Sequence, residues 1–184
     1  MKKNYSATYL KTINKINLPI NIITRIFLSQ FSPMRKNFLN KKILDYSCGS
    51  GPYLNLFKLL GFKVYATEIS NTIINKLRKK FKNVNFNKSS NSRINFPDKY
   101  FDYILCSHSI YYLENYNQKF EDTVEELRRV LKKDGYLICT FPHIKQSHLK
   151  FKKIKKNFFK IVFDKYKIRK NGYFHLFSSG NSIK

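Results

Sequence analysis

The stretch from Lys42 to Leu54, Lys-Ile-Leu-Asp-Tyr-Ser-Cys-Gly-Ser-Gly-Pro-Tyr-Leu, narrows the fold more than any other part of the chain. Apolar Ile43 and Leu44 lead to acidic Asp45, a run of small residues follows, and Pro52 comes next. Small residues let the backbone turn sharply and let a ligand approach the main chain. Proline suits the first turn of a helix, where its missing N–H costs nothing. The pattern predicts a strand, a tight loop and a helix N-terminus, which is half of a nucleotide-type pocket. A second strand-like run from Phe62 to Thr67 ends at Glu68, where a carboxylate can accept hydrogen bonds from a ribose diol.

The remaining chain repeats this alternation. Residues 52–60 read as a helix stopped by Gly61. Ser70 caps a helix running to about Phe81, with Ile73, Ile74 and Leu77 inward and Arg78, Lys79 and Lys80 at its cation-favouring end. Val84–Asn87 reads as a third strand, 88–99 as a polar loop, and Phe101–Cys106 as a buried fourth strand. Phe120, Val124, Leu127 and Leu131 mark an amphipathic helix, followed by a turn at Lys133-Asp134-Gly135 and a fifth strand over Gly135–Phe141. Strands alternating with helices at this spacing predict an α/β fold, a Rossmann-like doubly wound sheet that is mainly parallel.

The flanks are less regular. Residues 1–39 read as an N-terminal helical cap, with one face at Tyr5, Tyr9, Ile13 and Ile16 and, after Pro19, another at Ile22, Ile23, Ile26 and Phe27. Residues 40–142 form the core. Residues 143–184 are a basic C-terminal part of the same domain. There, Leu149, Phe151, Ile154 and Phe158 suggest a basic helix, and Phe159–Phe163 and Tyr173–Phe177 two strands around an Asn171-Gly172 turn.

Charge and cysteines bound the setting. The net charge is +25, yet Lys, Asn, Ile, Phe and Tyr make up about half of the residues, so A/T-rich coding explains much of the lysine. From Lys145 to Lys170 there are eleven Lys or Arg against one acid, Asp164, which leaves a polyanion-binding surface open as a second explanation. Cys48, Cys106 and Cys139 lack zinc-type spacing and read as reduced thiols in a cytoplasmic protein. The apolar run at residues 20–28 is broken by Asn21 and Arg25, so no membrane span is expected.

A dinucleotide loop offers a third glycine where this chain has Leu54, and it carries no anion ahead of the loop like Asp45. An anion there disfavours a pyrophosphate and suits a ligand carrying an amine and a sulfonium. At this point the run Ile43-Leu-Asp-Tyr-Ser-Cys-Gly-Ser-Gly51 resembles the first motif of class I S-adenosylmethionine-dependent methyltransferases, Asp-x-Gly-x-Gly-x-Gly. Asn95–His108 and Glu126–Ile138 are similar to later segments of the type 11 subgroup that includes quinone-biosynthesis C-methyltransferases. The resemblance covers residues 40–142 in order. Ser47 replaces the first glycine of the motif.

The resemblance implies S-adenosyl-L-methionine as cofactor. Ser47, Gly49 and Gly51 would pack on its methionine part, Asp45 would contact its amino group, and Glu68 would hold the ribose. Ile69 would lie on the adenine, with Ser90 or Asn91 near the adenine amine, and Cys106 and Ser107 would present backbone near the sulfonium. His148 and His175 have no partners at metal-ligand spacing, so no metal is expected. His108, past the fourth strand, is the catalytic-base candidate, with a plain loop histidine as its alternative. Tyr111 and His143 are candidate substrate contacts, and Tyr5 and Tyr9 could form a lid. Three functions follow as expectations: transfer to a small-molecule acceptor, an RNA methyltransferase or RNA-binding protein using 145–170, and a truncated, inactive remnant. Relatives close their sheet with two further strands, so either this chain lacks them or its own C-terminal strands supply a closing hairpin.

Overall fold

The computed structural model describes residues 20–30, 38–89, 93–113, 115–142, 147–167, 169 and 171–177. Chain order begins with α1 (Ile20–Arg25), which runs into a π-helical turn at Ile26–Gln30. Then come β1 (Lys42–Asp45), α2 (Leu54–Leu59), β2 (Lys63–Glu68), α3 (Asn71–Lys80), β3 (Asn85–Lys88) and β4 (Phe101–Cys106). The chain continues through β5 (Tyr112–Leu113), α4 (Phe120–Val130), β6 (Leu131–Cys139), β7 (Leu149–Lys155), β8 (Phe158–Asp164) and β9 (Tyr173–His175).

Five strands form a parallel sheet in the order β3-β2-β1-β4-β6. Its strands read as apolar runs because both faces are covered. Along β1, Ile43 packs in one core and Leu44 in the other. Along β4, Tyr103 and Leu105 face the first core, while Ile104 and Cys106 face the second. The first core is closed by Ile23 and Phe27 of the N-terminal helix, Leu54 and Phe57 of α2, and Ile73, Ile74 and Leu77 of α3. The second is closed by Leu127 and Val130 of α4 together with Leu149, Phe159, Ile161 and Phe174. The Rossmann-like α/β expectation is met, with strand order reversing between β1 and β4.

Local details follow from residue chemistry. Ser70 caps α3 by accepting from the Ile73 N–H at 3.4 Å. Pro52 lies in the turn before α2 and does not open the helix, which starts at Leu54. Of the expected α1 face, Ile23 and Phe27 are buried, whereas Ile22 is exposed. The Lys133–Gly135 turn is absorbed into β6 as an irregularity: Phe101 pairs with Leu131, but Tyr103 pairs with Tyr136. Gly135 is needed there, because a Cβ would meet the Asp102 carbonyl oxygen at 3.0 Å and Leu131 Cδ1 at 2.7 Å. Lys132 Nζ bonds Asp102 Oδ1 across the irregularity at 2.8 Å.

The C-terminal segment departs from the expected basic helix. Residues 149–155 form strand β7, antiparallel to β8, and β8 pairs with β9. Register breaks between Lys150 and Phe151 and between Lys153 and Lys155 scramble the two-residue alternation, which is why the apolar spacing mimics a helix. These strands do not extend the parallel sheet, as a closing hairpin would. They join β5 in a separate four-stranded sheet of order β5-β9-β8-β7. Among the described residues, β6 is an edge of the parallel sheet and no helix is long and apolar enough to cross a membrane.

Candidate functional site

The carboxyl ends of β1, β2 and β4 meet beside the point where strand order reverses, the position at which open α/β sheets hold ligands. The loop after β1 is pinned to β2 by its own backbone. Ser47 N–H donates to Thr67 Oγ1 at 3.1 Å and Cys48 N–H to the Thr67 carbonyl at 2.8 Å. Gly49 N–H donates to Glu68 Oε2 at 3.1 Å. Ser47, Gly49 and Gly51 all have left-handed backbone, with φ of 54°, 55° and 71°. At Gly51 a side chain would be strained by the φ of 71°, and its Cβ, 2.6 Å from Leu54 Cδ1, would displace that leucine. Ser47 holds a conformation that glycine adopts freely and other residues adopt at a cost.

Two buried carboxylates flank this loop. Glu68 also accepts at Oε1 from the Ile69 N–H at 2.9 Å and the Ser70 N–H at 3.1 Å. Burial raises its pKa, and these backbone donors and the more distant Arg169 oppose the rise. Asp45 is 1 % exposed, and its Oδ2 has no hydrogen-bond partner. Burial, reinforced by the Glu68 charge, pushes its pKa up to about 8. An orphaned, buried carboxyl at the tip of a central strand is a site prepared for a cationic or hydrogen-donating group. The same burial and the two carboxylates drive the Cys48 thiol well up, so it is no nucleophile.

The β4 side completes the pocket. Ser107 Oγ donates to Tyr53 Oη at 3.3 Å, and Tyr53 lies close enough to Asp45 for that charge to raise its pKa further, after burial. The Cys106 carbonyl accepts from Thr140 N–H at 3.1 Å, and His108 N–H donates to Thr140 Oγ1 at 2.8 Å. His108 is solvent-accessible with φ of 51°, and its Nδ1 lies 3.3 Å from the buried Tyr111 hydroxyl. Desolvation by the surrounding loops, then Arg169 and His148, hold its pKa below the usual imidazole value. Burial pushes the Tyr111 hydroxyl up to about 12, so it stays a neutral hydrogen-bonding group. Its ring packs on Tyr112, Phe174 and Phe141.

The predicted set Asp45, Ser47, Gly49, Gly51, Glu68, Cys106 and Ser107 thus converges on one strand edge, with Ile69 partly exposed next to Glu68. Ser90, Asn91 and His143, like Tyr5 and Tyr9, lie outside the described residues. Thr67 and Tyr53 were not legible from sequence. Their roles depend on a loop fold that places Thr67 under Ser47 and Tyr53 against Ser107. The donor set fits an adenosyl sulfonium cofactor: a carboxylate fixed by three backbone donors for a diol, a glycine cradle, and an unpartnered carboxyl for an ammonium.

A family model described as "Methyltransferase domain" matches residues 44–139. No curated protein matches the chain significantly. Among solved structures, the PH0226 protein of Pyrococcus horikoshii OT3 is 29% identical over 67% of this chain and 60% of its own, with a TM-score of 0.53. A SAM-dependent methyltransferase from Aquifex aeolicus is 26% identical over 74% of each chain, with a TM-score of 0.53. An S-adenosylmethionine-dependent methyltransferase from Mesorhizobium loti, 13% identical, shares the fold at a TM-score of 0.59 over 85% of this chain and 78% of its own. The chain therefore spans about three fifths of the Pyrococcus protein's length. S-adenosylmethionine is the cofactor that this domain and these neighbours indicate.

Proposed function

We propose that this chain, which belongs to the methyltransferase-domain family, transfers the methyl group of S-adenosylmethionine to a small-molecule acceptor. The observation that carries the reading is the pair of buried carboxylates, Asp45 and Glu68, on neighbouring strand ends with the left-handed loop between them. Glu68, preset by its backbone donors, takes the ribose hydroxyls, and Ile69 offers an apolar surface to the adenine. Asp45 takes the amino group, Ser47, Gly49 and Gly51 cradle the amino-acid part, and Cys106 and Ser107 line the donor side. The cofactor supplies an activated methyl group on a good leaving group. The chain's own task is to hold donor and acceptor in line, which can lower a barrier by about 7–11 kcal/mol.

His108 stands at the acceptor side, where a base with a lowered pKa is neutral at physiological pH and able to take a proton. The three free thiols support a reducing, cytoplasmic setting. Titration calorimetry with S-adenosylhomocysteine tests the assignment. Wild type should bind, and Glu68→Gln, which keeps the shape but loses the charge, should stay folded and bind about tenfold or more weakly. Its melting temperature should be somewhat lower, because its NH2 group cannot accept the backbone N–H it faces. A folded wild type that shows no binding overturns the reading.

A further inference from the structure

Methyl transfer leaves the basic C-terminal strands without a task, and their register determines what they present. Leu149, Phe159, Ile161 and Phe174 point into the second core, so their neighbours along the strands point away from it. On that outer face Lys150 pairs with Phe163, and Lys152, Lys160 and Tyr173 form one row across β7, β8 and β9. Tyr173 stacks on Phe158 with ring centres 5.3 Å apart, and Tyr116 meets both rings edge-on. Phe163 is 46% exposed and Tyr116 52%. Cations lie beside these rings: Lys150 Nζ is 5.8 Å from the centre of Phe163, and Lys155 Nζ is 5.5 Å from that of Tyr116.

The charge on this face has one sign. Lys150, Lys152, Lys153, Lys155 and Lys156 are exposed, and among the described residues none of them is ion-paired. The only acid of the three strands, Asp164, is buried and accepts from the N–H groups of Tyr166 at 2.8 Å and Arg169 at 2.7 Å. A/T-rich coding adds lysine to a chain, but it does not set lysines beside exposed rings on one sheet face or turn the acid inward. Lysines alone attract any polyanion, and the rings narrow the choice. Unpaired bases stack on exposed rings while neighbouring ammonium groups take the phosphates. A membrane would be met by apolar residues at the hairpin tip, but the tip is Lys155-Lys156-Asn157.

We propose that the outer face of β7, β8 and β9 docks single-stranded RNA, with phosphates on the lysines and bases on Phe163 and Tyr116. A duplex hides the base faces that the rings would stack on, and long unpaired stretches are common in RNA and transient in DNA. The face points away from the second core, which lies between this sheet and the parallel one. It is therefore separate from the pocket at the carboxyl ends of β1, β2 and β4, and neither reading depends on the other.

Fluorescence anisotropy of a labelled oligouridine about twelve nucleotides long tests the proposal on the full chain. Wild type should bind it, less tightly as salt rises. Lys152→Gln combined with Lys160→Gln should weaken binding about tenfold and reduce the slope of log affinity against log salt by about 1.4, two phosphate contacts at about 0.7 each. Lys76→Gln combined with Lys79→Gln removes the same charge from exposed positions of α3 and should change affinity by less than about twofold. Phe163→Leu keeps charge and bulk but loses the ring, and should weaken binding about fivefold or more, while Phe163→Tyr should match wild type. Equal losses in the two lysine pairs would mean general charge attraction and overturn the proposal. Wild-type affinity in Phe163→Leu, tighter capture by phosphatidylserine vesicles than by RNA, or no RNA binding to wild type would overturn it too. S-adenosylhomocysteine calorimetry on the same variants should be unchanged, which separates a failure here from a failure of the methyltransferase reading.

Discussion

Replacing Asp45 by asparagine should make the cofactor-free protein more stable, by an amount that grows with pH. Asp45 is buried with an unpartnered Oδ2, and its pKa is raised from 3.8 to about 8, chiefly by burial and secondarily by Glu68. In the native state the group therefore keeps its proton between pH 4 and 8, while the unfolded chain releases it. The native state binds one proton more than the unfolded state in that window, so the term costs about 1.4 kcal/mol of stability per pH unit. It is absent below about pH 4 and levels off above about pH 8. At pH 7 it amounts to about 4 kcal/mol, worked as 7 minus 3.8 units at 1.36 kcal/mol each.

The amide of Asp45→Asn has no such proton but remains a buried polar group, which returns about 1–2 kcal/mol. The net gain at pH 7 is then roughly 2–3 kcal/mol, or about 5–10 °C in melting temperature for a chain of this size. Urea titrations of both proteins from pH 5 to 8.5 measure it: the difference in unfolding free energy should rise steadily to about pH 8 and then flatten. A difference independent of pH, or a variant less stable than wild type at pH 8, would refute the reasoning. The same carboxyl should give up its proton when an ammonium docks. Calorimetry of S-adenosylhomocysteine at pH 6.5 in buffers of different ionisation enthalpy should show proton release in wild type and none in the variant.

Ser47→Gly should stabilise the protein by about 0.5–1 kcal/mol in urea titrations, since it relieves a φ of 54° at a modest entropic cost. Arg129→Lys should cost about 2 kcal/mol and lower the melting temperature by about 4–8 °C. The guanidinium fork holds Glu126, Asp98 and the carbonyls of Ile94 and Phe96 together at 2.6–3.0 Å, and an ammonium cannot span them. Cofactor affinity should be untouched, because these bonds secure the loop before β4 on α4, away from the loop after β1.

The parallel core was legible because its signals are local. Ile43-Leu44-Asp45 and Phe101–Cys106 announce buried strands, Ser70 announces a cap, and Gly51 announces a left-handed turn that glycine adopts without strain. Ser47 showed the limit of motif matching: a serine can occupy the glycine position because it accepts the strained φ, with its N–H fixed by Thr67 Oγ1. The C-terminal sheet was not legible for a different reason. Its pairings join Tyr112 to Phe174 across the whole last third of the chain, and its register breaks erase the strand period. No local window contains that information.

That division has a chemical consequence. Under the proposed function, cofactor recognition would use backbone donors and carboxylates at the ends of adjacent strands, geometry that the parallel fold itself provides. The acceptor side in that proposal would use the loop after β4, which carries His108 and Tyr111 and is clamped by the second sheet through the His175-to-Tyr111 bond and the Tyr112–Phe174 pair. Phe174 is fully buried against Tyr111, Tyr112 and Phe151, so the clamp is a packed core and not a surface appendage. A change in this second sheet would therefore act on the loop carrying His108 and leave the strand ends that hold Asp45 and Glu68 in place. Under that proposal, acceptor specificity would vary through this sheet and loop without loosening the hold on the cofactor, a separation that lets one cofactor site serve many acceptors.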